Sequence, residues 1–246
     1  MLKLTFAFLK IFFRNGRAIF FAIFLPSAIF SILALLNLEG IIRFGDSVSY
    51  GDYLLVGMIA LAVMQTGIYT ASYSLIDLRR TNVLRRLSVT PLSPAQFLGA
   101  QVAARFVVAC LQGAVLLTLG ALVFGVSLQN LWAAPVLIFF GSAIFLNFGF
   151  LIASIARDYE EAAPYTSIVG LTSMFLGDVF FPVANLPPQL ARLADFLPLK
   201  PLSQSLRYFL LGVATPELAQ DLLILVGWFV LTFLFSRFVF AKRVYR

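Results

Sequence analysis

Apolar residues run through this chain in long blocks, with polar residues gathered in short breaks between them. Six blocks are long enough to cross a bilayer as helices, which takes about 20 predominantly apolar residues. They lie at 18–38, 53–75, 98–126, 131–155, 164–181 and 218–240. Pro26 falls inside the first, where a membrane helix tolerates it if a neighbour satisfies the carbonyl that proline leaves free. The third block exceeds the hydrocarbon thickness, so its first turns, with Gln101 and Arg105, are expected to project toward the head groups, Arg105 by snorkelling there or else lining a cavity. The sixth is expected to open with Thr215 as N-cap, Pro216 at the first helical position and Glu217 in the first turn. The pattern predicts an all-α polytopic membrane protein with one domain over 1–246.

Two segments depart from simple spans. In 1–17 the cations Lys3, Lys10, Arg14 and Arg17 are spaced by seven, four and three residues. At about 100° per residue they share a stripe roughly 60° wide, with Leu2, Phe6, Leu9 and Phe13 off it. That is the pattern of an amphipathic helix lying in the membrane interface. The length of the following apolar block, with no small-residue cleavage site after it, favours a retained span over a signal peptide. The segment 182–212 is too apolar for an exposed loop and too broken by Pro182, Pro187, Pro188, Pro198 and Pro201 for one helix. It divides into two short amphipathic helices, about 187–196 with Leu190, Leu193 and Leu197 to one side, and about 201–211 with Leu202, Leu206, Phe209 and Leu210, ended by Gly212. Irregular backbone at membrane depth needs protein or water around it, so a re-entrant pair near the external face is expected.

Charge orients the layout. The break DLRRTNVLRRLSVTPLSP, residues 77–94, holds Arg79, Arg80, Arg85 and Arg86, and Lys- and Arg-rich loops resist translocation. With six spans, the N-terminal cations, this break, Arg157 and the basic tail all fall on the cytoplasmic side, as do both termini. Only Arg43, Arg192, Lys200 and Arg207 fall outside. The chain is 61% hydrophobic and 12% charged, and its net charge of +7 is explained by span ends and anionic lipid without nucleic acid. A multi-pass protein of a bacterial or archaeal plasma (inner) membrane is expected.

The chemistry available is sparse. There is no histidine and one cysteine, Cys110, which excludes an imidazole base, a histidine metal site and an internal disulfide. No phosphate-binding G-x-x-x-x-G-K-[ST] loop occurs, and no catalytic triad or paired-carboxylate site can be assembled. Asp158, Glu160 and Glu161 read as a solvated, partner-facing surface. No catalytic, cofactor-binding or metal-binding residue is assigned, and energy for uphill movement must come from another chain or an ion gradient. Ionisable and amide groups inside spans are the functional candidates, because burying them in hydrocarbon is costly. Asp178 could meet a substrate, pair with Arg207 or Lys200, or reach water at the interface. Gln65, Gln112 and Asn147 could line a pathway or bridge helices.

The stretch NVLRRLSVTPLSP resembles the cytoplasmic segment of ABC-2 type transporter permeases, and VFFPVANLPPQLARLADFLPLKPLSQSLRYFLLG resembles that family's FFP…LP…P-L…LR…L-x-G segment. The resemblance implies a half-transporter: two permease subunits, identical or related, form the pathway, and two copies of a separate subunit bind ATP and magnesium. It places the coupling element at 77–96, with Asp77, Arg79, Arg80, Asn82, Arg85, Arg86 and Thr90 as its residues. Asn82 stands where the family has Gly, and Asn tolerates positive φ better than most residues. Arg85 points to the basic subgroup resembling drug and antibiotic exporters, while Asp178 replaces a residue that is commonly small. The implied function is ATP-driven export of a hydrophobic or amphipathic small molecule, with export of a polysaccharide or lipid-linked glycan as the alternative. A gradient-driven carrier would need paired midplane charges and internal repeats. A membrane anchor or assembly factor would leave the coupling and re-entrant segments without a role.

Overall fold

The structure is a computed structural model that describes residues 2–36, 49–83, 94–215 and 217–243, without the side chains of 94, 95, 98 and 237–243. Every regular element in it is helical: α1 (Leu2–Arg14), α2 (Gly16–Leu36), α3 (Tyr50–Arg80), α4 (Pro94–Val123), α5 (Ala133–Ile155), α6 (Tyr159–Leu176), α7 (Pro188–Phe196), α8 (Leu199–Leu211) and α9 (Leu218–Arg243). Five helices, α2, α3, α4, α5 and α9, are long and apolar enough to cross a membrane. α6, expected at 164–181, is not among them. It starts earlier and stops at Gly177, and its 18 residues carry Glu160 and Glu161 in the first turn.

The core is built on α3 and α5. In their most apolar stretches 83% and 72% of residues are buried, against 17% in α2 and in α9, which form the rim that lipid would wet. Small residues bring α3 and α5 together, as expected where lipid removes the hydrophobic drive between helices. A Cβ at Gly67 would lie 2.6 Å from that of Phe145, and one at Gly149 would lie 2.7 Å from that of Ala71. Ser72 Oγ sits 3.0 Å from Gly149 O across this seam. Aromatic rings tie α5 to α9, with Phe140 against Phe229 and Phe148 against Trp228.

Helix ends follow local chemistry. Ser49 caps α3 by accepting Asp52 N at 3.1 Å. Asp158 caps α6 by accepting Glu161 N at 2.9 Å, while the Glu161 carboxylate accepts Arg157 N at 2.8 Å, a reciprocal pair of the capping-box kind. Gly212 ends α8 in the left-handed region at φ 69°, as the sequence anticipates. Thr215 does not cap α9 with its side chain; its hydroxyl donates to Val213 O at 3.4 Å instead.

α1 shows three faces. Its cations are exposed, Phe8 and Phe12 are buried against the bundle, and Leu2, Phe6 and Phe13 are exposed. Helices α7 and α8, at 9 and 13 residues, span about 14 and 20 Å and are too short to cross the hydrocarbon core. Leu202, Leu206 and Leu210 of α8 are buried as a stripe, but Leu190 and Leu193 of α7 point outward and Ala194 packs inward. The leucines of α7 therefore face surroundings rather than core.

Candidate functional site

The candidate residues fall at two ends of the bundle and along its middle. At the arginine-rich end, the four residues 77–80 are the last turn of α3, and 94–96 are the first turn of α4. Helix α3 thus continues into the polar stretch, where Leu78, Arg79 and Arg80 are good helix formers. Arg79 reaches across to α5, donating from Nη1 to Ala156 O at 3.0 Å and from Nη2 to Ala153 O at 2.7 Å. It caps the carbonyl end of α5, where a cation is favoured by the helix dipole. Two of its five N–H donors are thus engaged within the chain.

Asp77 and Arg80 are exposed but also engaged. Tyr159, at the start of α6, donates its hydroxyl to Asp77 Oδ1 at 3.1 Å, and Arg80 lies over the same ring with 5.2 Å to its centroid. Tyr73 meets that ring edge to face at 5.7 Å. Sequence reasoning missed Tyr159; the only signal was an aromatic residue beside the acidic cluster. Asn82 turns the chain out of α3 with φ 57°, the left-handed conformation anticipated for the residue in the glycine position. Arg85, Arg86 and Thr90 lie outside the described residues.

In the middle, Gln112 of α4 is a three-helix bridge. Its amide nitrogen donates to Ala22 O at 2.6 Å, and its oxygen accepts from Thr66 Oγ1 at 3.0 Å. Ala22 is four residues before Pro26, so its carbonyl lacks the usual helical N–H partner, and the helix carries a π-turn at Phe20–Phe24. Gln112 therefore supplies what Pro26 removes. Asn147 donates to Ala143 O one turn back at 2.8 Å, and its own carbonyl lies 3.5 Å from Ser236 Oγ of α9. Both residues are packing bridges. Gln65 is half-buried, with no hydrogen bond to another described residue.

At the opposite end Asp178 and Arg207 are buried together, 5% and 4% exposed. Arg207 Nη1 donates to Asp178 Oδ2 at 2.7 Å, and Nη2 donates to the Asp178 carbonyl and to Tyr53 O, the latter at 3.3 Å. The guanidinium lies 3.6 Å from the centroid of the Tyr53 ring, while Asp178 Oδ1 accepts Val183 N at 2.7 Å. Asp178 holds φ 59° to make these contacts. Of the three expectations for Asp178, the structure selects pairing with Arg207. It does not reach water, and both carboxylate oxygens are taken. Lys200 pairs instead with Asp195.

Arg105 also departs from expectation. It is 7% exposed and Gln101 is 1% exposed, so both are packed within the chain rather than extended from it. Both lie along α4 beside α1, whose Phe8 ring meets Phe97 at 5.8 Å.

A bundle with no nucleotide-binding motif and its candidate residues spread between ends has to be read with its relatives. The family described as "ABC-2 family transporter protein" matches residues 32–238. The chain belongs to this family. As an ABC-2 permease it is the membrane subunit of a transporter, works with an ATP-binding partner and is a multi-pass component of the inner or plasma membrane. It is 26% identical over 203 residues to Nodulation protein J of Rhizobium leguminosarum bv. viciae, covering 82% of this chain and 78% of that protein. It is likewise 26% identical over 199 residues to Nodulation protein J of Neorhizobium galegae, covering 80% and 76%. A protein of Bacillus subtilis (strain 168) named as a transport permease, YvfS, is 24% identical over 200 residues, 80% of each chain.

Proposed function

We propose that this ABC-2 permease is one half of an exporter whose arginine-rich end faces the cytoplasm. In this reading α6 completes a set of six spans, α7 and α8 form an external re-entrant pair, and both termini are cytoplasmic. Residues 1–246 act as a single transmembrane domain. Two permeases form the pathway, and two ATP-binding subunits dock below them. The lopsided distribution of cations supports the orientation.

The observation that carries the mechanism is the junction at the end of α3. Residues 84–93, with Arg85, Arg86 and Thr90, follow directly on a helix end that is tied to α5 by Arg79 and to α6 by Asp77 and Arg80. A push delivered to that segment passes into α3, the most buried of the spans, and through it to α5 and α6 together. Asp77, Arg79, Arg80 and Asn82 then transmit the motion, and Arg85 and Arg86 receive it. Energy enters through ATP and magnesium held by the partner.

For the cargo, export of a polysaccharide or lipid-linked glycan is favoured over a drug-like molecule. Two of the relatives carry names from nodulation and none carries a name from drug resistance. Gln112, Asn147 and Asp178 are engaged in the fold, which leaves Gln65 as the member of the pathway set not tied to another described residue. The test is reconstitution with the cognate ATP-binding subunit. Reversing Arg85 and Arg86 to Glu is expected to lower ATP-dependent transport roughly tenfold or more, since like-charge juxtaposition at an interface costs several kcal/mol and about 1.4 kcal/mol is tenfold. Unchanged assembly and transport would remove the coupling assignment.

A further inference from the structure

One polar stripe on α4 is satisfied at one end and not at the other. Gln101, Arg105 and Gln112 are four and seven residues apart, which at about 100° per residue keeps them within roughly 40° of one another. Gln112 has both ends of its amide engaged. Toward the arginine-rich end, both polar atoms of the Gln101 side chain and Nε of Arg105 are buried without a hydrogen-bond partner. Native structures seldom leave such groups orphaned.

Among the described residues no carboxylate pairs with Arg105. Of the chain's eleven acidic residues, Asp77, Asp158, Glu160 and Glu161 belong to the α3–α6 junction, where Asp77 takes Tyr159 and Asp158 and Glu161 cap α6. The other described ones lie on the opposite end of α3, α6 and α9, or on α7. Residues 84–93 contain none. A counter-charge from outside the described residues would complete the site. The surroundings fit a membrane source: α1 lies beside this part of α4, with Lys3, Lys10 and Arg14 exposed, and its apolar Leu2, Phe6 and Phe13 are also exposed. Phe20, Phe21 and Phe24 of α2 continue an apolar surface away from it.

We propose that Gln101 and Arg105, beside α1, bind the phosphate headgroup of a membrane amphiphile. The Arg105 guanidinium takes the phosphate oxygens by charge-assisted hydrogen bonds, and the Gln101 amide takes an ester or hydroxyl oxygen beside them. The exposed cations of α1 attract anionic lipid to the surface without specificity, whereas the buried pair supplies one saturable place. The headgroup can belong to a bulk anionic phospholipid or to a phosphate-bearing cargo lipid, and the site stands on this chain alone, independent of the transport reading.

The experiment uses the full chain in phosphatidylcholine nanodiscs, titrated with phosphatidylglycerol in one arm and with farnesyl phosphate in the other. Retained lipid is counted by native mass spectrometry and the thermal midpoint is followed. The wild type is expected to hold one phosphate lipid per chain through delipidation and to gain thermal stability with it. Arg105→Met should lose that molecule, Arg105→Lys should retain it about tenfold more weakly, and Lys3→Gln with Lys10→Gln should lose only the diffuse, salt-sensitive binding. Tighter binding of farnesyl phosphate assigns the site to cargo-like lipids, and tighter phosphatidylglycerol binding assigns it to the bilayer. Should Arg105→Met fail to fold, Gln101→Leu, which keeps the charge, is expected to weaken retention without abolishing it. Equal retention by wild type, Arg105→Met and Gln101→Leu, or no saturable binding of either lipid to the wild type, overturns the proposal.

Discussion

The two ends of this bundle are held by charged residues in opposite ways. Where α6 gives way to the short helices, Asp178 and Arg207 are both buried, with a carboxylate, a guanidinium, a tyrosine ring and backbone groups closing on one another. Where α3 ends, Asp77 and Arg80 are exposed and Arg79 half-buried, and each makes contacts that water can replace. A buried ion pair is costly to break because each partner is then left uncompensated in a medium that solvates it poorly. Contacts at a wet surface can be exchanged at little cost. One end is therefore a lock, and the other, held by exchangeable contacts, is a joint.

The largest expected effect comes from opening the lock. Arg207→Met leaves Asp178 as a buried unpaired carboxylate, and a loss of about 3–5 kcal/mol in unfolding stability is expected. Adding Asp178→Asn should recover much of that loss, because the amide oxygen of the new side chain can still accept the Val183 N–H while the uncompensated charge is gone. Thermal unfolding of both single variants and the double variant in nanodiscs gives the coupling energy directly. If Arg207→Met alone costs less than about 1 kcal/mol, the pair is not a lock.

Next in size is the tightly packed α3–α5 seam. Gly67→Leu places a side chain where a single Cβ already meets Phe145, and overpacking of this kind costs about 1–3 kcal/mol. The same unfolding assay should show the loss, and cross-linking between introduced cysteines on the two helices should slow as they separate. Wild-type stability in that variant would mean that α3 and α5 slide freely, and the junction would then have no stiff route to the far end.

Gln112→Leu should cost about 1–2 kcal/mol, from two helix-bridging hydrogen bonds and an Ala22 carbonyl left without a donor. Adding Pro26→Ala in that background should restore part of the loss by returning an N–H to Ala22 within α2. Failure of the second change to rescue the first would show that Gln112 does not compensate the proline.

How far these features were legible in advance depends on how local their causes are. Five of the six expected spans, the amphipathic stripe of α1 and the left-handed Gly212 follow from residues within a few positions, and the apolar runs or the side-chain chemistry announce them. The turn at Asn82 is instead anticipated from the family resemblance. Pro26 signals that some neighbour must satisfy a carbonyl, but only the packing of α2 on α4 selects Gln112. Asp178 was readable as an ionisable group in an apolar stretch. Its partner depended on the fold of 182–212, which brings Arg207 back across 29 residues. Arg105 was misread for the same kind of reason. Snorkelling is sound for a lone helix in lipid, but here the chain packs around α4 and buries the side chain. The apolar run predicts a span at 53–75, whereas α3 runs from Tyr50 to Arg80, because a helix can continue past the apolar residues that announce it.

The smallest expected effect is the sharpest test of the comparison. Tyr159→Phe keeps the ring under Arg80 and against Tyr73 and removes only the hydroxyl bonded to Asp77. That bond is exposed, so its loss should cost about half a kcal/mol, close to the resolution of an unfolding assay. A joint is judged by transmission rather than by stability. In the reconstituted transporter the variant is therefore expected to hydrolyse ATP near the wild-type rate while moving less cargo per ATP. Arg79→Gln, which frees the carbonyl end of α5 as well, should extend the same trend. If Tyr159→Phe lowers stability as much as Arg207→Met does, the two ends are equally rigid, and motion must enter the bundle somewhere other than the end of α3.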